Sequence, residues 1–170
     1  MFKVLGVILS VALLSCVNSG KSKPAIKTVY ETYVELGQLL PISTLNSYQG
    51  ETVSVDKIGQ RKLVILFATW CSDSQRAFTQ ILASDLVNDR NLQIVGIGRE
   101  ENTKALAKFK QDYKVTFPLV ADPGRAIYKQ FANAGIPRII LVDEQNRIVK
   151  TIIGEMPRAI DEIVWPQTVK

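Results

Sequence analysis

The sequence predicts an α/β domain: a central mixed sheet with helices on both faces and an N-terminal β-hairpin extension. Three observations lead there. Leu63 to Phe67 is an unbroken apolar run rich in β-formers, as in a strand buried on both sides. Apolar runs of strand length alternate with segments of helical spacing through the rest of the chain. Hydrophobic residues make up 46% of the 170, enough for one domain with a real core.

Lys3 gives the chain a positive start, and Val4 to Leu14 is an apolar run broken only by Gly6 and Ser10. The run is too short to span a bilayer comfortably, and its flanks are those of a signal peptide. It ends in Leu13-Leu14-Ser15-Cys16, which resembles the lipobox of bacterial lipoproteins. By that resemblance residues 1–15 are a lipoprotein signal peptide and cleavage precedes Cys16. Its sulfur then carries the diacylglyceryl group that anchors the chain to a membrane. Val17 in place of Asp points to the outer membrane. Without the resemblance, Cys16 is a small apolar residue of a signal helix.

Residues 16–35 read as a lipidated tether and linker, with Asn18 to Pro24 rich in Ser, Gly, Lys and Pro. The domain is expected to span 36–170. Ile26 to Leu40 has two readings: a short helix with the stripe Val29, Tyr33, Leu36 and Leu40, or an extended arm. Pro41 to Leu45 and Glu51 to Val55 are strand-like and joined by the turn formers of 46–50, as in a hairpin. Lys57 to Lys62 connects them to the strand Leu63 to Phe67. From Ser72, apolar residues recur at Phe78, Ile81, Leu82 and Leu86, which is helical spacing.

Leu92 to Ile97 is a second apolar strand, and Asn102 or Thr103 can cap a helix bearing Leu106, Phe109 and Tyr113. Phe117 to Val120 is a short strand. Asp122-Pro123-Gly124 turns into a helix with Ile127, Tyr128 and Phe131. Arg138 to Val142 and Ile148 to Ile153 form a hairpin around Asp143 to Asn146. Pro157 suits the first turn of a final helix reaching Trp165.

Composition removes whole classes of function. There is no histidine, so His triads, His metal sites and His general bases are excluded. Two cysteines, Cys16 and Cys71, are too few for a zinc cluster or a disulfide scaffold. The formal charge of +5, with a pI near 9.2, is scattered rather than clustered and predicts no nucleic-acid partner. No metal or other cofactor is expected.

What remains is Cys71, at the joint between the central strand and its helix. A helix start offers unpaired N–H groups and the positive end of the macrodipole. A thiol there loses its proton more easily, and the thiolate is the reactive form.

Phe67-Ala68-Thr69-Trp70-Cys71, Phe117-Pro118, Gly135-Ile136-Pro137 and 143–149 resemble the exported thioredoxin-like proteins of the TlpA/ResA group. The hairpin before the central strand and the added strand and helix of 92–113 match that group as well. The resemblance covers roughly Leu36 to Trp165 and implies a thioredoxin-like fold. It implies thiol–disulfide exchange at Cys71, with a cis Ile136–Pro137 peptide facing the thiol; Trp70 either packs over the thiol or contacts substrate by itself. Ile136, Pro137 and Arg138 would line a substrate groove.

The group's motif is Trp-Cys-x-x-Cys, and here Ser74 replaces the second cysteine. Ser74 cannot release a mixed disulfide, so resolution must come from an external thiol or another thiol of the substrate. The Glu that such proteins often carry on this helix is Ala77 here, and the central strand lacks the buried Asp of thioredoxin. Asp73 opposes thiolate formation, while Arg76 and the helix terminus favour it.

Three functions fit these residues. The first is a membrane-anchored, single-cysteine exchange protein acting on disulfide- or thiol-bearing exported proteins or small thiols. The second is a redox-inactive binding module using the groove around Trp70 and Pro137. The third is a one-cysteine peroxidase, with Arg138 or Arg99 serving the thiolate, although peroxiredoxins place a Thr where this chain has Ala68.

Overall fold

The computed structural model describes residues 30–166; the leader, Cys16 and the tether up to residue 29 lie outside the described residues. The strands, in chain order, are β1 (Thr44–Asn46), β2 (Thr52–Ser54), β3 (Arg61–Phe67), β4 (Leu92–Arg99), β5 (Leu119–Asp122), β6 (Arg138–Val142) and β7 (Ile148–Ile153). The α-helices are α1 (Ser72–Leu82) and α2 (Thr103–Tyr113). β1 and β2 form a separate antiparallel hairpin. The other five strands form one sheet of order β5-β4-β3-β6-β7, with β3 at its centre. β3, β4 and β5 run parallel, and β6 and β7 continue the sheet antiparallel.

The alternation of β3 divides the core in two. Leu63, Ile65 and Phe67 face one side, while Val64 and Leu66 face the other. The crossovers β3-α1-β4 and β4-α2-β5 step the same way along the sheet, and right-handed crossovers of that kind lay both helices on one face. Ala77, Phe78 and Ile81 of α1 therefore share a core with Leu106 and Phe109 of α2. Phe67 stands 4.5 Å from Phe78 and 5.2 Å from Phe109, centroid to centroid, which pins the start of α1 to the end of β3. Helical cover on the opposite face is lighter. There the short 3₁₀ turn Tyr128–Gln130 packs with the hairpin and with Val34 of the N-terminal arm.

Several elements differ from their sequence reading, each for a local reason. α1 stops at Leu82, and Leu86 belongs to a separate 3₁₀ turn, Asp85–Asn88. Ser84 makes the break: its hydroxyl donates to Ile81 O and accepts from Leu86 N–H. The helix expected after Asp122 is a single 3₁₀ turn, Tyr128–Gln130, and the Asp122 carboxylate accepts the N–H groups of Ile127 and Tyr128 at its start. The final helix is likewise only Ala159–Glu162, with Arg158 ahead of it outside helical geometry. β5 begins two residues later than expected, past Pro118, which has no N–H to give to a ladder.

The described part of 26–40 is the extended alternative. It bridges Thr32 to Ala132 and Leu39 to Arg147. Residues 30–35, read as linker, are thus packed on the domain, with Val34 in its core.

Arg61 and Lys62, read as connection, belong to β3. The Lys62 ammonium is buried and donates to Lys57 O and Asn146 Oδ1. Desolvation holds its pKa below the ordinary lysine value, against attraction from Asp143, Asp56 and Glu144.

Gly96 of β4 lies under this packing. A Cβ there would stand 2.6 Å from Leu119 Cδ2 and 3.2 Å from the rings of Phe67 and Phe78. Gly96→Ala is expected to lower unfolding stability by about 1–3 kcal/mol, read as a lower denaturant midpoint at unchanged slope.

Candidate active site

Cys71 caps α1. Its backbone is extended, its carbonyl accepts from Gln75 N–H at 3.0 Å, and its side chain makes no capping bond. The thiol is half-buried against the core of the arm-side face, and Sγ lies 3.7 Å from Ile136 O, its hydrogen-bond acceptor. The N–H groups of the first turn of α1 have no partner within the helix and point toward this end. A sulfur so placed is reachable from outside and has polar backbone on two sides.

The wall opposite the thiol is the loop before β6. The Ile136–Pro137 peptide is cis, and both residues are buried. Tyr128 holds the loop from below by donating to Gly135 O at 2.7 Å. Gly154 holds it from the side, donating its N–H to Pro137 O at 2.8 Å. A Cβ on Gly154 would meet Pro137 Cγ at 2.7 Å, so only glycine lets the two segments lie this close. Tyr30, at the start of the described arm, lies over Gly135 and completes the rim. Its hydroxyl bonds the Glu155 carboxylate, which raises the phenol pKa.

Trp70 is 65% exposed, so its indole stands largely in solvent at the rim. Ser74 is fully buried in the first turn of α1, where its hydroxyl accepts from Ala68 N–H at 3.4 Å. Ala77 is buried in the core that holds the aromatic cluster. Asp73 and Arg76 pair with each other, and Arg76 also donates to Met156 O at 3.3 Å.

The side chain of Arg138 is not in the groove. It is fully buried, and its guanidinium donates to Ala134 O, Glu31 O and Thr32 Oγ1, tying the arm to the loop that carries Ile136. Arg99, the other arginine named for a peroxidatic site, pairs with Glu100 and lies over the Tyr128 ring.

Gln75, Tyr128 and Gly154 are site-building residues that the sequence reading misses. Only Gly154 carries a signal, a lone glycine at the end of a strand.

The family model described as Redoxin matches residues 23–164. Sporulation thiol-disulfide oxidoreductase A of Bacillus subtilis is 27% identical over 118 residues, which is 66% of this chain and 70% of that protein. Thiol-disulfide oxidoreductase ResA of Bacillus thuringiensis is 21% identical over 141 residues, 77% of this chain and 80% of that protein. A solution structure of a proposed protein disulfide isomerase from Bacteroides thetaiotaomicron superposes with a TM-score of 0.70 at 25% identity, covering 77% of this chain and 86% of that one. The fold is thioredoxin-like, of the TlpA/ResA type, with its small hairpin sheet at the N-terminal side.

Proposed function

We propose that this chain, which belongs to the Redoxin family, is an exported thiol–disulfide exchange protein working through Cys71 alone. The observation that carries this reading is the position of Sγ: half-buried, at the start of α1, 3.7 Å from the carbonyl that precedes Pro137. The names of the Bacillus relatives support the chemistry. The leader and the Leu-Leu-Ser-Cys sequence ending at Cys16 support a lipid anchor in the cell envelope, facing the periplasm from the outer membrane.

In the first step the Cys71 thiolate attacks one sulfur of a substrate disulfide. The substrate S–S bond breaks, a Cys71–substrate disulfide forms, and the displaced thiolate takes a proton from solvent. In the second step another thiolate, from the substrate or from a small thiol, attacks the mixed disulfide and frees Cys71. When the substrate supplies that thiolate, the sum is disulfide rearrangement without net oxidation.

Ser74 accounts for this route, since a buried hydroxyl gives no nucleophile for the second step. The substrates are disulfide- or thiol-bearing exported proteins or small thiols. The two arginines considered for a peroxidase are engaged elsewhere, which favours exchange over peroxide chemistry.

The test is turnover of a scrambled-disulfide protein by the purified chain, with and without a small thiol. Refolding that accelerates when the thiol is added supports exchange. Absent refolding with rapid sulfenic acid formation in dilute peroxide transfers the reading to a peroxidase. A thiol inert in both assays leaves a binding module.

A further inference from the structure

Arg99-Glu100-Glu101, three charged residues in a row, closes β4 and leads toward α2. Glu101 is not solvated: it is 5% exposed and, among the described residues, has no ion-pair partner. Burying a lone carboxylate is unfavourable unless hydrogen bonds compensate. Here one oxygen, Oε1, accepts two bonds from a single residue, the Thr69 N–H at 2.7 Å and the Thr69 hydroxyl at 2.7 Å.

The backbone is shaped around that contact. Glu100 has φ 61, the left-handed region that non-glycine residues rarely adopt. The turn is closed by Glu101 N–H donating to Gly98 O at 3.2 Å. Gly98 leaves the room: a Cβ there would stand 2.9 Å from Glu101 Cβ and 2.7 Å from Leu106 Cδ2. The remaining polar group of Thr69, its carbonyl, accepts from Gln75 Nε2 of α1 at 2.8 Å. The residue two places before the cysteine is thus fixed at its N–H, its hydroxyl and its carbonyl. A strained turn, an obligatory glycine and an unpaired buried charge all serve that one residue.

We infer that Glu101 is a positioning residue for Cys71. Through Thr69 it ties the cysteine loop to the end of β4, and so sets where the sulfur meets Ile136 O and an incoming disulfide. This rests on the exchange chemistry proposed for Cys71. Its working feature is the acceptor oxygen rather than the negative charge.

Glu101→Ala, Glu101→Gln and Thr69→Val are compared in two reactions. One is the stoichiometric attack of Cys71 on a small aromatic disulfide, followed across pH, which needs no turnover. The other is turnover of a scrambled-disulfide protein. Misplacing a nucleophile by a fraction of an ångström predicts that Glu101→Ala slows the stoichiometric attack at least about fivefold, with the midpoint of its pH profile unmoved. Glu101→Gln, whose amide oxygen still accepts from Thr69, is expected within about twofold of the parent chain. Thr69→Val removes only the hydroxyl donor without emptying the buried site. It is expected to fall between the two, and adding it to Glu101→Ala slows the attack no further.

The inference is overturned if Glu101→Ala reacts like the parent chain, if Glu101→Gln is as slow as Glu101→Ala, or if the loss comes from a displaced pH midpoint. A parent chain that attacks the small disulfide but turns over no protein removes the proposed function and leaves the clamp standing.

Discussion

Cys71→Ala is expected to abolish turnover of a scrambled-disulfide protein, a fall of at least about a thousandfold, to the level of the small thiol alone. Among the described residues no other can substitute. Cys71 is the free cysteine of the described residues, and the nearest candidate in sequence, Ser74, is a buried hydroxyl. The fold does not depend on the sulfur. Cys71 is half-buried at a helix cap, and truncation to alanine there is expected to change stability by no more than about 1 kcal/mol. Circular dichroism and a denaturant midpoint close to the parent's, together with absent turnover, separate loss of chemistry from loss of structure. A Cys71→Ala protein that still turns over substrate places the chemistry elsewhere.

Ser74→Cys is expected to change the reaction rather than remove it. Ser74 lies one helical turn into α1 from Cys71, and residues three apart in a helix lie within the Cα separation a disulfide spans. The introduced thiol can attack the Cys71–substrate disulfide from within. The products are a reduced substrate and an intramolecular disulfide, a two-electron transfer that the natural chain cannot make. Steady-state reduction of a protein disulfide, with a dithiol as electron donor, is expected to rise by about tenfold or more. The same change shortens the life of the mixed disulfide, so the trapped adduct declines as turnover rises. Equal turnover in both proteins contradicts the role given to Ser74.

The fold was legible where periodicity and burial agree. Leu63 to Phe67 is apolar without a break because helices and hairpin close both faces of β3. The cysteine was legible because the change from strand to helix falls on it. The short 3₁₀ turns were not, since apolar spacing at Ile127, Tyr128 and Phe131 fits one turn of 3₁₀ helix as well as a longer α-helix. The direction of the Arg138 side chain is not legible, because adjacency to Pro137 fixes its backbone but not its side chain, which turns inward to bond Thr32 and Glu31 across a long sequence separation. Glu101 was invisible for a related reason. Its burial depends on a left-handed Glu100 and on the absence of a side chain at Gly98, and a run of charges gives no hint of either.

The central claim is that one sulfur forms the bond to substrate and something outside the chain must break it. Intact-mass analysis tests it most directly: the chain is mixed with a disulfide-bonded protein, quenched in acid, and weighed before and after a small thiol is added. The expected result is a one-to-one adduct mapping to Cys71 that persists without the thiol and disappears with it. An unmodified Cys71, or an adduct that resolves with no thiol present, contradicts the account.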